Sequence, residues 1–318
     1  MNKLRFPRLG RVGLAAVGLF GALFASGCGG GGDLVATFAP GRLLVFGDEN
    51  SVLTATGAKY SINALNTDNT LLCTNNPIWV QVLANRYGFG FVQCPNPLDT
   101  AAPRGTIYAA VGTGVADIEA QITAATGPGG FLPNDLTTIY TGQKDIIAIY
   151  QAMTSGADLG AARSAAEAAG AALAGQVNRV ADAGARVLIV TVPNVGVTPF
   201  ALAEAAANTD FDRADALRQI TERFNARLRS TIFNDGRRIG LIQLDEYIGV
   251  VLGFPAGYGY SNVVLGACTV ALPGCTTATL VTGATSTSHL WADDRRAGAG
   301  AQQQTGNLAV SRAVNNPF

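Results

Sequence analysis

Short apolar runs, each set off from the next by a turn and a helix-forming stretch, constrain this chain more than any other feature. The runs lie at residues 43–46, 107–111, 136–140, 186–190 and 239–244, with a shorter one at 90–93. An apolar run of this length closed by Gly or a polar turn reads as a buried strand. The intervening segments predict helices from about Pro77 to 87, then 116–126, 146–153, 158–183, 212–233 and near 303–314. Pro77 suits a first helical turn, and Trp79, Val82, Leu83 and Tyr87 share one face before Gly88 ends the helix. Asp145 is placed to cap the helix that follows it, and Gly184 to stop the long Ala-rich one. Strands that alternate with helices imply right-handed crossovers and a parallel sheet covered on both faces. The expected fold is therefore α/β, a three-layer α/β/α sandwich. Residues 52–76 and 250–288 are rich in small polar residues and read as long loops, and 95–103 as a Pro-rich surface loop.

The 318 residues, 48% hydrophobic and 14% charged, are enough for a sizeable core and exclude a disordered chain. Lys3, Arg5, Arg8 and Arg11 precede the first acid, Asp33, and the formal net charge of the whole chain is zero. Removing that segment leaves a net acidic protein without the basic footprint of a nucleic-acid binder. Residues 1–27 read as a signal peptide, with a basic start, an apolar stretch and a small-residue end. Ala25-Ser26-Gly27-Cys28 resembles a bacterial lipobox, which implies acylation of Cys28, a membrane anchor and a place in the bacterial cell envelope. The alternative is an ordinary signal peptide cut nearby. Residues 28–40 begin with a Gly run and read as a flexible tether, leaving 41–318 as one domain.

Beyond Cys28 the cysteines are Cys73, Cys94, Cys268 and Cys275. An even number in an exported chain points to disulfides, and nearest-neighbour pairing is preferred among the three possible connectivities. No Cys-x-x-Cys occurs and His289 is the single His, so neither a zinc site nor any other cofactor is expected.

The chemistry centres on Leu43-Leu44-Val45-Phe46-Gly47-Asp48-Glu49-Asn50-Ser51. Ligands of open α/β sheets sit outside the carboxyl ends of the strands, which puts this turn at the expected site. Ala110-Val111-Gly112, Gly142-Gln143-Lys144-Asp145 and Asp293-Asp294-Arg295-Arg296 follow in order. The set resembles the sequence blocks of the GDSL, or SGNH, family of esterases and lipases. That family's first block reads roughly Phe-Gly-Asp-Ser-Leu-Ser, its third Gly-x-Asn-Asp and its last Asp-x-x-His. The Pro193 to Pro199 loop and Phe224-Asn225-x-x-Leu228 also look like family features. The resemblance spans nearly all of the chain after the N-terminal segment. It implies the SGNH-hydrolase, flavodoxin-like fold and hydrolysis of acyl esters or lipids without a cofactor.

Position by position, the resemblance puts Glu49 where the nucleophilic Ser belongs and Gly112 at the oxyanion Gly. Lys144 replaces the oxyanion Asn, Asp293 keeps the triad Asp, and Arg296 replaces the base His. Arg cannot accept a proton at any working pH, and a carboxylate does not replace a Ser–His pair in acyl transfer. The four charged residues Glu49, Lys144, Asp293 and Arg296 are expected to meet as a salt-bridge network. One reading is a degenerate member that has lost Ser–His catalysis and serves as an envelope binding or structural protein, with an acyl ester, lipid or glycan as the ligand its cleft could take. The other is an active ester hydrolase using displaced residues, with Ser51 and His289 as the pair. A glycosidase-like use of Glu49 with Asp293 is a weaker third.

Overall fold

The computed structural model describes residues 38–99 and 102–318. The signal peptide, Cys28 and all but the end of the tether lie outside the described residues.

The apolar runs form a five-stranded, wholly parallel sheet. Its strands are β1 (Arg42–Gly47), β2 (Gly105–Ile107), β3 (Asp135–Tyr140), β4 (Arg186–Val190) and β5 (Ile239–Ile242), in the order β2-β1-β3-β4-β5. Successive side chains of a strand point to opposite faces, and both faces here are buried. Leu43 and Val45 enter one apolar cluster, whereas Leu44 and Phe46 enter the other. The first cluster is completed by α1 (Trp79–Arg86), α7 (Leu244–Gly253) and α8 (Ala299–Asn315). The second is completed by α2 (Ile118–Thr126), α3 (Gln143–Gln151), α4 (Leu159–Asp182), α5 (Pro199–Ala207) and α6 (Arg213–Thr231). The three-layer α/β/α sandwich is thus the observed fold.

Small residues set the spacing of α4 on α6. A methyl group on Gly170 would lie 2.3 Å from the Phe224 carbonyl oxygen, so only Gly permits this approach. The two disulfides are Cys73–Cys94 and Cys268–Cys275, the nearest-neighbour pairing. No helix among the described residues is long and apolar enough to cross a membrane.

Several expected boundaries move. Residues 90–93 form a turn bridged at Phe91 to Cys94 and Gly105, not a strand. β2 therefore starts earlier than residue 107 and is shorter, because Gly105 and Thr106 take the ladder positions beside Leu43 and Leu44. Asp145 does not cap its helix: α3 begins at Gln143 with Gly142 at the N-cap, and the Asp145 carboxylate accepts from the Val115 N–H. α5 and α7 lie mostly in stretches to which the sequence reading assigned no element. Thr198 caps α5 and Pro199 fills its first turn, while Asp245 and Glu246 favour the α7 N-terminus. A small parallel pair, β6 (Asn262–Gly266) and β7 (His289–Trp291), holds together the loop region that ends at the last sequence block.

Candidate functional site

The strand order reverses direction at β1 and β3, and the crevice beyond their carboxyl ends is where doubly wound sheets place ligands. The first, second, third and last sequence blocks converge there on a cleft of about 370 Å3. Glu49, Gly112, Lys144 and Arg296 line it together with Asp48 and Arg295.

Gly47 ends β1 with φ +134°, a backbone region that L side chains rarely adopt. A methyl group there would lie 2.0 Å from the Tyr140 carbonyl oxygen. The buried Gln121 of α2 fixes this peptide, accepting from Gly47 N–H at 2.8 Å and donating to its carbonyl at 3.0 Å. Thr113 Oγ1 donates to the same carbonyl at 2.9 Å. The chain then turns at Asp48, whose Oδ1 accepts from the Asn50 backbone and side chain at 3.0 and 2.9 Å.

Glu49 is held by three donors. Arg296 Nε and Nη2 both reach Oε1, at 3.1 and 2.9 Å, and Gly112 N–H reaches Oε2 at 3.1 Å. Arg296 turns its Nη1 to Asp293 Oδ2, while Asp293 Oδ1 accepts from the Arg295 and Arg296 backbone at 3.0 and 2.7 Å. One guanidinium thus bridges the Glu49 carboxylate and the carboxylate of the last block. Burial acts to raise the Glu49 carboxyl, but its own backbone, the Gly112 N–H and Arg296 more than offset this and hold it below its ordinary value. Burial likewise opposes the Arg296 charge, and Asp293 and Glu49 overcome it, so the guanidinium is held still more firmly.

Lys144 departs from the expected network. It is exposed, its Nζ donates to the Gly112 carbonyl, and it joins no ion pair among the described residues. Gly112 therefore lies between Glu49 and Lys144, its N–H on one and its carbonyl on the other.

Ser51 and His289 do not pair. Ser51 is fully buried and its Oγ accepts from Trp79 Nε1 at 3.2 Å. His289 is buried in β7, its Nδ1 3.0 Å from Ser288 Oγ, and burial lowers its basicity. The Glu49 and Asp293 carboxylates share Arg296 instead of facing each other across a free bond-breaking site.

The residue that sequence reasoning passes over is Asp48, 2% exposed at the cleft floor. Burial, then the neighbouring Glu49 charge, pushes its carboxyl up to about 7, against the opposing pull of Asn50 and Arg296. The family-like frame showed it as a motif residue, but nothing in the sequence marked how deeply it is buried. Gln121, Gln143 and Arg295 carried no signal either: Gln143 Nε2 donates to the Arg295 carbonyl at 3.2 Å and ties α3 to the last block.

No family model matches the sequence, and no curated protein matches it. Similar solved structures include a lipolytic G-D-S-L family protein from Veillonella parvula DSM 2008, at 11% identity and TM-score 0.41, over 85% of this chain and 96% of that one. A lipase from a goat rumen metagenome is 12% identical with TM-score 0.46, over 87% and 99% of the two chains. An acetylxylan esterase from Geobacillus stearothermophilus is 14% identical with TM-score 0.43, over 89% and 98%. Activity does not travel with likeness of this order, so the functional reading rests on the site's own residues.

Proposed function

We propose that this chain is a catalytically silent relative of the GDSL/SGNH esterases and lipases, exported to the cell envelope, whose cleft serves for binding. The observation that carries this reading is the Arg296 bridge between Glu49 and Asp293. Acyl transfer on this frame needs a nucleophile, a base to take its proton and a carboxylate to hold the base. Here the base position holds a permanent cation, and the nucleophile position holds a carboxylate already occupied by three donors. A structural ion triad stands where a proton relay would run. The burial of Ser51 and its distinct partner count against the displaced Ser51–His289 pair.

The test is fluorophosphonate labelling of the purified full chain, read by peptide mass spectrometry, alongside turnover of short acyl esters. The expected result is no adduct and no turnover. An adduct on Ser51 that is lost in Ser51→Ala would sink the reading. Export and anchoring are a separate part of the proposal. They are supported by the N-terminal segment, by Cys28 and by two disulfides of a kind that persists in oxidising compartments. Radiolabelled palmitate should enter the wild-type chain in bacterial cells and not Cys28→Ala; equal labelling would refute the anchor.

A further inference from the structure

Outside the ion triad, Lys144 and Asp48 are among the cleft groups with spare hydrogen-bonding capacity, and they pair a cation with a carboxyl group. Lys144 Nζ has one partner, the Gly112 carbonyl, and no carboxylate pairs with it among the described residues. Asp48 is buried at the floor, with both Asn50 bonds on Oδ1 and none on Oδ2 among the described residues. Arg296 serves Glu49 and Asp293, whereas Arg295, also on the cleft, lies 3.2 Å from the half-exposed Asp294 and leaves its Nε without a hydrogen-bond partner among the described residues, a second donor beside Lys144.

The charges restrict what can enter. With Asp48 ionised, Asp48, Glu49, Asp293 and Asp294 outnumber Lys144, Arg295 and Arg296 by one charge, so entry of any anion is opposed. With a proton on Asp48 the set is neutral, and Oδ2–H becomes a donor in the same cleft as the Lys144 ammonium. A monoanion with two oxygens then meets one cation and one carboxylic acid. Ile147 and Ala148 of α3 supply an apolar wall beside them. The cleft volume of about 370 Å3 falls in the range of small-molecule sites, roughly 300–1,000 Å3.

We propose that this cleft binds a small organic monocarboxylate, one oxygen on Lys144 Nζ, the other sharing a proton with Asp48, and the hydrocarbon on Ile147 and Ala148. The inference rests on the reading of the cleft as a binding site. No bond is made or broken; above neutral pH the complex takes up one proton from solvent, which resides on Asp48. The groups facing Asp48 are Glu49 beside it, Asn50 on the same turn, Tyr140 at the end of β3, Arg295 and Arg296 from the loop before α8 and Lys144 from α3. Burial and the Asp48 charge both raise the Tyr140 phenol, so it stays neutral through the relevant range. Glu49 stays ionised and Arg296 stays charged there, which leaves Asp48 as the group that titrates.

Titration calorimetry of the full chain with sodium butyrate tests this. One site is expected, with an affinity flat from about pH 6, where butyrate is still ionised, to about pH 7 and falling about tenfold per pH unit above it, because the proton must then come from solvent. Asp48→Asn, which keeps the Asn50 contacts through its amide oxygen, should remove the slope. Lys144→Met, at an exposed position, should weaken binding about tenfold, the loss of one charge-assisted bond, and Lys144→Arg should restore it. Melting curves near that of the wild type confirm that these variants fold. No butyrate binding at millimolar concentration, binding indifferent to both substitutions, or tighter binding of methyl butyrate or inorganic phosphate would each overturn the inference. Ester turnover with butyrate binding intact would instead remove the silent-site reading and leave the carboxylate site standing.

Discussion

Replacing Arg296 by Met strands two carboxylates at once, whereas replacing Glu49 by Ala leaves the guanidinium still paired with Asp293. The two variants should therefore differ. Arg296→Met is expected to lose about 3 kcal/mol or more, as for a buried pair broken from one side. Glu49→Ala should lose about 1–2 kcal/mol, the worth of a charged hydrogen bond. Adding Glu49→Ala to Arg296→Met should recover stability by removing a stranded charge. Urea unfolding of the three variants measures this, and equal losses for both single variants would contradict the shared-guanidinium geometry. Asp48 makes a second, opposite case. Its carboxyl rises from an ordinary 3.8 to about 7 in the fold, so between those values the folded state holds a proton that the unfolded state releases. Stability then falls as pH rises through that window, by about 4 kcal/mol in total. Asp48→Asn lacks this loss, so its stability relative to the wild type should climb from pH 4 to pH 7; a constant difference would refute it. The Glu49–Arg296 pair was legible in the sequence because opposite charges replaced two motif positions that must meet. Lys144 was not: which way its side chain points depends on α3 starting at Gln143, a boundary that the expected cap at Asp145 obscured.

At the scale of elements, the sheet was readable because a strand buried on both faces must be a continuous apolar run. β1 and β4 each show one, whereas β3 buries Thr137 and Thr138 and was readable from its β-branched residues instead. β2 was misplaced because Gly105 and Thr106 pair with β1 without looking strand-like. The polar segment 52–76 was read as loop, and its internal order was invisible, since it depends on a few buried polar side chains. Lys59 is fully buried there and its Nζ donates to the carbonyls of Asn75 and Asn76, immediately before α1. Burial lowers its ammonium from 10.5 to about 8. Between those values the unfolded chain binds the extra proton, so stability rises with pH, by about 3 kcal/mol across the window. Lys59→Met should flatten that rise between pH 8 and pH 10.5 while the wild type shows it in pH-dependent melting. A rise of equal size in the variant would show that other groups cause it. This segment is also clasped to the rest of the fold by Asn63, which donates to the carbonyls of Pro273 and Cys275, and by Ser61, which donates to that of Ala297. Through these bonds the two disulfide-bearing loops brace the stretch that carries Asp293 and Arg296.

For the molecule as a whole, on the proposed reading of a silent relative, positions 49, 112, 293 and 296 keep a frame into which hydrolase side chains could be returned. Residue 49 follows a Gly47 peptide fixed by Gln121, the Gly112 N–H points at the residue-49 side chain, and Asp293 contacts both the backbone and the side chain of residue 296. These parts come from loops at the ends of three strands and from the segment before α8, so their alignment is a property of the entire sandwich. If the site lost its chemistry while the fold kept its frame, restoring the side chains should restore function. The triple variant Glu49→Ser, Lys144→Asn, Arg296→His removes the whole ion bridge, so no carboxylate at position 49 is left unpaired. It returns a hydroxyl at the strand end, an imidazole within reach of Asp293 and an amide donor beside Gly112. Triad members act as a unit, so each single change should yield nothing measurable while the triple variant gains ester turnover, at least about a hundredfold above any single one. Hydrolysis of p-nitrophenyl acetate, with fluorophosphonate labelling of residue 49, is the measurement. A folded triple variant without turnover or label would mean that the frame itself has drifted. Silence would then belong to the architecture and not to the exchanged side chains alone.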